Sequence, residues 1–303
     1  MSTLDFTPDV DYSVRETLDW VRYQVGLLAR DGAALASMVV IAVFVLLGLF
    51  GPYLAPHEPL DHTMRQGDSV MRLASPSASA PMGTTQYGKD VLSQFLTGAR
   101  PTLIAAFVGG FLSSALGFLV GLVAGYYGGL VDEALMRFTD LAFALPGLPL
   151  VILVLSFINP NVYIISLAYL FIIWKQTARV VRSEVITVKE RTFVQSARAS
   201  GAGHLRTMFG HVAPNVLPIG FLYSAYSVGW AVYGQAGVAF LGFGDPSTTS
   251  WGRMLRQAFE SGSLREAWWW VVPPALAIAM VTVSVFFVGR AYEEIVDPEL
   301  GDT

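Results

Sequence analysis

Ala33 to Leu54, Pro101 to Val131, Val212 to Phe243 and Ala267 to Gly289 each run for more than twenty residues without a charged side chain. A bilayer core about 30 Å thick is crossed by about 20 helical residues. Lipid offers no partner for backbone N–H and C=O groups, so segments of this kind must be helices. Composition agrees: 53% of the residues are hydrophobic and 14% charged, against about 25% charged in a soluble domain. The expected fold class is therefore an all-α integral membrane protein. The chain has no cysteine, which excludes disulfides and thiolate chemistry, and its net charge of −4 implies no nucleic-acid partner.

Two further apolar segments carry a few charges. One runs from about Leu135 to Ile158, the other from Val162 to about Val181, and Asn159-Pro160-Asn161 breaks the helix between them into a tight hairpin. Six spans place both termini on one side. With the N-terminus inside, 12 of the 19 Lys and Arg residues fall on inner segments and 7 on outer ones, the distribution the positive-inside rule favours. The expected division is a cytoplasmic segment 1–32, with an interfacial helix near Leu18 to Leu28, and a first span with an external loop over 33–100. A five-span core over 101–290 and a cytoplasmic tail over 291–303 follow. Trp251 and Trp268-Trp269-Trp270 are expected at the outer interface.

Small residues recur at helical spacing in the second span (Gly110, Ser114, Gly117, Gly121, Gly125, Gly128) and the fifth (Gly220, Ser224, Ser227, Ala231, Gly234). They let backbones approach closely, within this chain or against another subunit. Beside the second stripe run Tyr223, Tyr226, Trp230 and Tyr233, which either line a wet translocation path or pack in the bundle. Asp140 is ionisable inside a span and so a functional candidate, and Arg137 three residues away offers a structural ion pair.

Several motifs carry no chemistry. Gly83 to Asp90, GTTQYGKD, has the glycines and lysine of a phosphate loop but ends in Asp where a magnesium-binding hydroxyl belongs, and no strand precedes it. It reads instead as a turn into an amphipathic outer helix, Lys89 to Thr97. His57, His62, His204 and His211 have no metal-ligand spacing, and no catalytic constellation can be assembled. Neither a metal site nor catalytic residues are expected, and the chain is not an enzyme.

Between the fourth and fifth spans lies a polar island, Lys175 to His211, holding seven Lys and Arg residues. Its centre reads FVQSARASGAGHLRTMFGHVAPN: helix formers to Ser200, then Gly201-Ala202-Gly203, then a second amphipathic segment closed by Pro214. Two short helices with a glycine joint form either a knob for a cytoplasmic partner or an interfacial cap on the bundle.

Phe193 to Pro214 resembles the EAA loop of ABC importer permeases, E-A-A then three residues then G, here Gln195-Ser196-Ala197 with Gly201. Met82 to Arg100 (MGTTQYGKDVLSQFLTGAR), Gly128 to Pro146 (GGLVDEALMRFTDLAFALP), Gly237 to Leu255 (GVAFLGFGDPSTTSWGRML) and VDPEL near the end resemble segments of the dipeptide, oligopeptide and nickel branch. Glu and Ala of the motif are replaced by Gln195 and Ser196. The resemblance implies a C-type permease subunit in the cell membrane, with a coupling helix at about 187–211 between spans four and five. It implies a homologous permease, two cytoplasmic ATPases and an extracytoplasmic solute-binding protein as partners. ATP and Mg then belong to the ATPases, with no cofactor on this chain, and membrane lipid surrounds it. Coupling contacts are expected from Gln195, Ser196, Ala197, Arg198, Gly201, His204 and Leu205. The rival function is a stand-alone channel or secondary carrier, for which the few ionisable groups in the spans give little support.

Overall fold

The computed structural model describes residues 31–296, so the expected interfacial helix at Leu18 to Leu28 and most of the tail lie outside the described residues. The apolar runs are helices. α1 (Gly32–Leu54) is capped by the Asp31 carboxylate, which accepts from the Ala33 N–H. A two-stranded hairpin, β1 (Arg65–Gln66) and β2 (Ser69–Val70), pairs antiparallel in the following loop. Then come α2 (Val91–Tyr127), α3 (Gly129–Ala144), α4 (Gly147–Ser156) and α5 (Val162–Lys189). Among the described residues five helices are long and apolar enough to cross a membrane, and six spans result if α3 and α4 count as one.

α2 is the central helix, packed against α1, α5 and α8 (Ala213–Val238). Its glycines make this possible. A Cβ at Gly121 would stand 2.5 Å from the Ala178 carbonyl oxygen, and one at Gly125 would stand 2.8 Å from that of Arg182. Gly110 faces Val228 of α8, and the Ser224 hydroxyl donates to Ser114 at 2.8 Å. Both small-residue stripes thus serve packing within the chain, where backbone contact replaces the missing hydrophobic drive.

Four expectations change. Lys89 to Thr97 is no separate surface helix: it leads into and opens α2, which continues through Pro101, and the Thr102 hydroxyl donates to the Gly98 carbonyl at 2.8 Å in the next turn. Asp90, at the end of the phosphate-loop look-alike, is the N-cap, accepting from the Leu92 and Ser93 N–H groups and the Ser93 hydroxyl. The third span is broken by 81° at Leu145-Pro146, since proline forces the preceding residue out of helical geometry. Tryptophans expected at the interface are mostly interior: Trp251 and Trp270 are fully buried, the Trp251 indole donates to the Phe95 carbonyl at 3.1 Å, and only Trp268 stays exposed.

Nor does Pro214 close the amphipathic segment before it. α7 (His204–Thr207), a π turn (Met208–Val212) and α8 run on without a break into a second π turn (Ala239–Phe243), which is kinked at Gly242, where φ is +99°. Proline has no N–H for the carbonyl four residues back; here the Ala213 N–H reaches instead to Met208, one residue further, and the helix passes the proline. α9 (Trp251–Glu260) and α10 (Trp268–Val296) complete the chain, with α10 packed on α8 and α1.

Candidate functional site

The loop between α5 and α8 is built around one anchor. α6 (Thr192–Ala199) turns Val194 inward, fully buried with Leu122, Val181, Val185, Met208 and Val212. The rest of α6 is outward-facing. Gln195 and Ser196 are exposed, the Gln195 amide folds back to donate to the Glu190 carbonyl at 3.0 Å, and Ala197 is half-buried. Arg198 is exposed, with its guanidinium 5.1 Å above the Tyr126 ring.

The end of α6 is a Schellman motif. Gly201 N–H donates to the Arg198 carbonyl at 2.9 Å and Ala202 N–H to the Ala197 carbonyl at 3.1 Å. This pattern needs a left-handed residue between them, and Gly201 has φ +86°. The chain then reverses into α7. His204 Nδ1 lies 3.4 Å from the Tyr126 hydroxyl, tying the joint to the end of α2. Leu205 is 65% exposed, and Phe193 and Phe209 are exposed nearby in sequence. Val194 and Tyr126, which hold the loop to the bundle, escape sequence reasoning; only the valine's place at the head of the polar run Gln195-Ser196 hints at the first.

Beside this loop α5 grips α3 through its cations. Lys175 donates to the Ala142 carbonyl at 2.7 Å, Arg179 to Asp140 at 2.7 Å, and Arg182 holds Asp132 with both prongs. Lys189 donates at 2.7 Å to the Gly125 carbonyl near the end of α2. The expected Arg137–Asp140 pair is not formed. Arg137 reaches Glu133 one turn back at 3.7 Å, and Asp140 is taken by Arg179 from the neighbouring helix. Spacing along one helix cannot register a closer cation supplied 39 residues later.

A cavity of about 650 Å³ opens between α3, α4, α5, α8 and α10, a size that suits a small organic ligand. Tyr223, Tyr226, Trp230 and Tyr233 all line it. They are not loose: Tyr223 meets Tyr226 edge to face at 5.9 Å, Trp230 meets Phe286 at 6.3 Å, and the Tyr226 hydroxyl donates to Glu293 at 2.8 Å. Trp230 and Tyr233 keep large exposed faces. Among the lining residues only Lys175 is charged, and none is a carboxylate, imidazole or thiol. The arrangement can hold or pass a solute; it has no nucleophile–base pair. Among the described residues no group of three or more His, Asp or Glu side chains is placed to hold a metal ion.

Residues 117–302 match the family model described as binding-protein-dependent transport system inner membrane component, and residues 27–76 match that for the N-terminal TM domain of oligopeptide transport permease C. The chain is 31% identical over 277 residues to the dipeptide transport system permease protein DppC of Haemophilus influenzae, covering 89% of this chain and 92% of that protein. It is 30% identical over 277 residues to the di/tripeptide transport system permease protein DppC of Pseudomonas aeruginosa, with 90% of each covered. An inward-facing structure of the MetNI methionine ABC transporter aligns with TM-score 0.53 and 16% identity, over 68% of this chain and 95% of that one. That likeness is one of fold.

Proposed function

The chain belongs to the family of inner membrane components of binding-protein-dependent transport systems, and from that premise we propose that it is the permease subunit of a peptide importer whose α6–α7 loop is the handle for its ATPase. It is a multi-pass inner-membrane protein and is not itself catalytic, and an ABC system of this kind works with ATPase and binding-protein partners. The finer assembly is our reading: a homologous second permease, two cytoplasmic ATPases carrying ATP and Mg, and one external binding protein. Both termini are cytoplasmic in it. Residues 33–100 form the first span and external loop, and residues 101–290 form the permease core. The peptide class comes from the relatives' names.

The observation that carries the coupling role is the loop's construction: exposed Leu205 on a segment rooted in the bundle by buried Val194 and jointed at Gly201. A motor that grips Leu205, Arg198 and their neighbours moves a piece the bundle cannot ignore. Gln195, turned back on its own loop, contributes shape rather than reach. The solute then passes along Tyr223, Tyr226, Trp230 and Tyr233.

Leu205→Asp puts a charge into the apolar contact. The chain should stay at its normal level in the membrane while co-purifying ATPase falls at least about tenfold, the factor set by 1.4 kcal/mol, and ATP-driven uptake falls with it. Full co-purification and uptake in this variant would sink the coupling assignment. Solute flux through the purified chain in liposomes without any ATPase would favour the rival channel.

A further inference from the structure

We propose that Tyr169 is a solute-anchoring contact of the cavity, and that the cavity takes peptides with apolar or aromatic side chains, whose backbone carbonyl or terminal carboxylate accepts a hydrogen bond from the Tyr169 hydroxyl. This rests on the reading of the cavity as the transport path.

Tyr169 is a cavity-lining side chain only 3% exposed, and its hydroxyl has no hydrogen-bond partner in the protein. A buried hydroxyl is costly when unpaired, and native structures rarely leave one so without a use. Other unpaired buried polar atoms, such as those of Gln94, Gln235 and Thr282, lie off the cavity wall; among the described residues Tyr169 alone combines both properties. Its position is fixed. The Ser113 hydroxyl donates to the Tyr169 carbonyl at 2.9 Å, and the ring lies in the space that Gly234 leaves open, where a Cβ would come 2.8 Å from Cε1 and 3.3 Å from the hydroxyl oxygen. Gly234 sits next to Tyr233 of the aromatic stripe, so the hydroxyl lies where the stripe meets α5.

The rest of the wall sets the class of solute. Tyr226 has already given its hydroxyl to Glu293, and Lys175, the one charged lining group, is a donor. The charged and unpartnered groups therefore offer N–H and O–H, which call for acceptors on the solute. Aromatic faces at four consecutive stripe positions and at Phe143 and Phe286 call for apolar surface. An acidic side chain would lose its water here with one lysine, already engaged, to receive it. A bare metal ion would find no carboxylate, imidazole or thiol among the lining residues.

The test uses the whole transporter in proteoliposomes, with its binding protein and ATPases, and labelled Ala-Phe and Ala-Glu as probes. Wild type should take up Ala-Phe faster than Ala-Glu. In Tyr169→Phe the complex should melt at or above the wild-type temperature, because no protein hydrogen bond is lost. Its maximal Ala-Phe uptake should fall about five-fold, the factor of one net hydrogen bond, with ATPase activity retained. A lowered melting temperature would assign the hydroxyl to structure and overturn the proposal. So would preferred uptake of Ala-Glu, or no uptake of Ala-Phe. Trp230→Ala separates the two readings. If it impairs uptake while Tyr169→Phe does not, the Tyr169 assignment fails and the path stands; if neither impairs uptake, the path assignment fails as well.

Discussion

Gly201 is the residue at which the α6–α7 loop can be stressed without touching anything else. A Cβ added there meets no atom within 4 Å, so no clash contributes. The penalty is backbone alone: φ is +86°, and an L-residue held in the left-handed region costs about 1–2 kcal/mol. Escaping to negative φ would break the Gly201–Arg198 and Ala202–Ala197 bonds, about 1 kcal/mol net each, so strain and escape are comparable and neither is cheap. Destabilisation by 1–2 kcal/mol lowers the ratio of formed to opened joint about 5- to 30-fold. Amide exchange at Ala202 in Gly201→Val should accelerate by that factor, and ATP-driven uptake should fall while the chain's membrane level holds. Gly201→Asn, which tolerates this region, should fall between Val and wild type. Gly203→Ala is the control, with φ −67° and open space around it, and should leave both readouts unchanged. Wild-type exchange in Gly201→Val, or equal damage from Gly203→Ala, would refute the Schellman account of the joint.

Two further outcomes follow from packing and capping. Gly121→Ala should destabilise the detergent-solubilised chain by about 1–3 kcal/mol in a thermal size-exclusion assay, because its Cβ would press on the Ala178 carbonyl; Gly237→Ala, with nothing within 4 Å, should be neutral or stabilising by about 0.5–1 kcal/mol. Asp90→Ala removes the acceptor for two N–H groups and the buried Ser93 hydroxyl, and should cost about 1–2 kcal/mol in the same assay, most of it restored by Asn.

Features that depend on one segment were legible in the sequence. The apolar runs gave the helices, and Asn159-Pro160-Asn161 marked a real break at which Asn161 caps α5 by accepting from the Tyr163 and Ile164 N–H groups. The stripe of Tyr223, Tyr226, Trp230 and Tyr233 stood out by spacing alone. What the stripe faces did not, because the cavity also needs walls from α3, α4, α5 and α10. Leu145-Pro146-Gly147 carried its own breaking signal, masked by apolar residues on both sides. Asp140 and Trp251 were misplaced for one shared reason: each finds its partner on another helix, Arg179 for the first and Phe95 for the second. Pro214 reads as a terminator because proline removes a hydrogen bond; the π turn before it is a backbone solution that residue types do not announce.

The helix that runs from His204 to the kink at Gly242 makes length itself a constrained quantity. At about 1.5 Å per residue it extends about 60 Å, with Leu205 near one end and the aromatic face in its middle. An insertion of one residue between Ala213 and Leu222 would turn that face about 100° relative to the loop, carrying Tyr226 and Trp230 off the wall while leaving every side chain chemically intact. An insertion of four residues turns it only about 40°, and one of seven about 20° in the other sense. A lineage can exchange side chains along this helix one at a time, but its register can drift only in steps of whole turns.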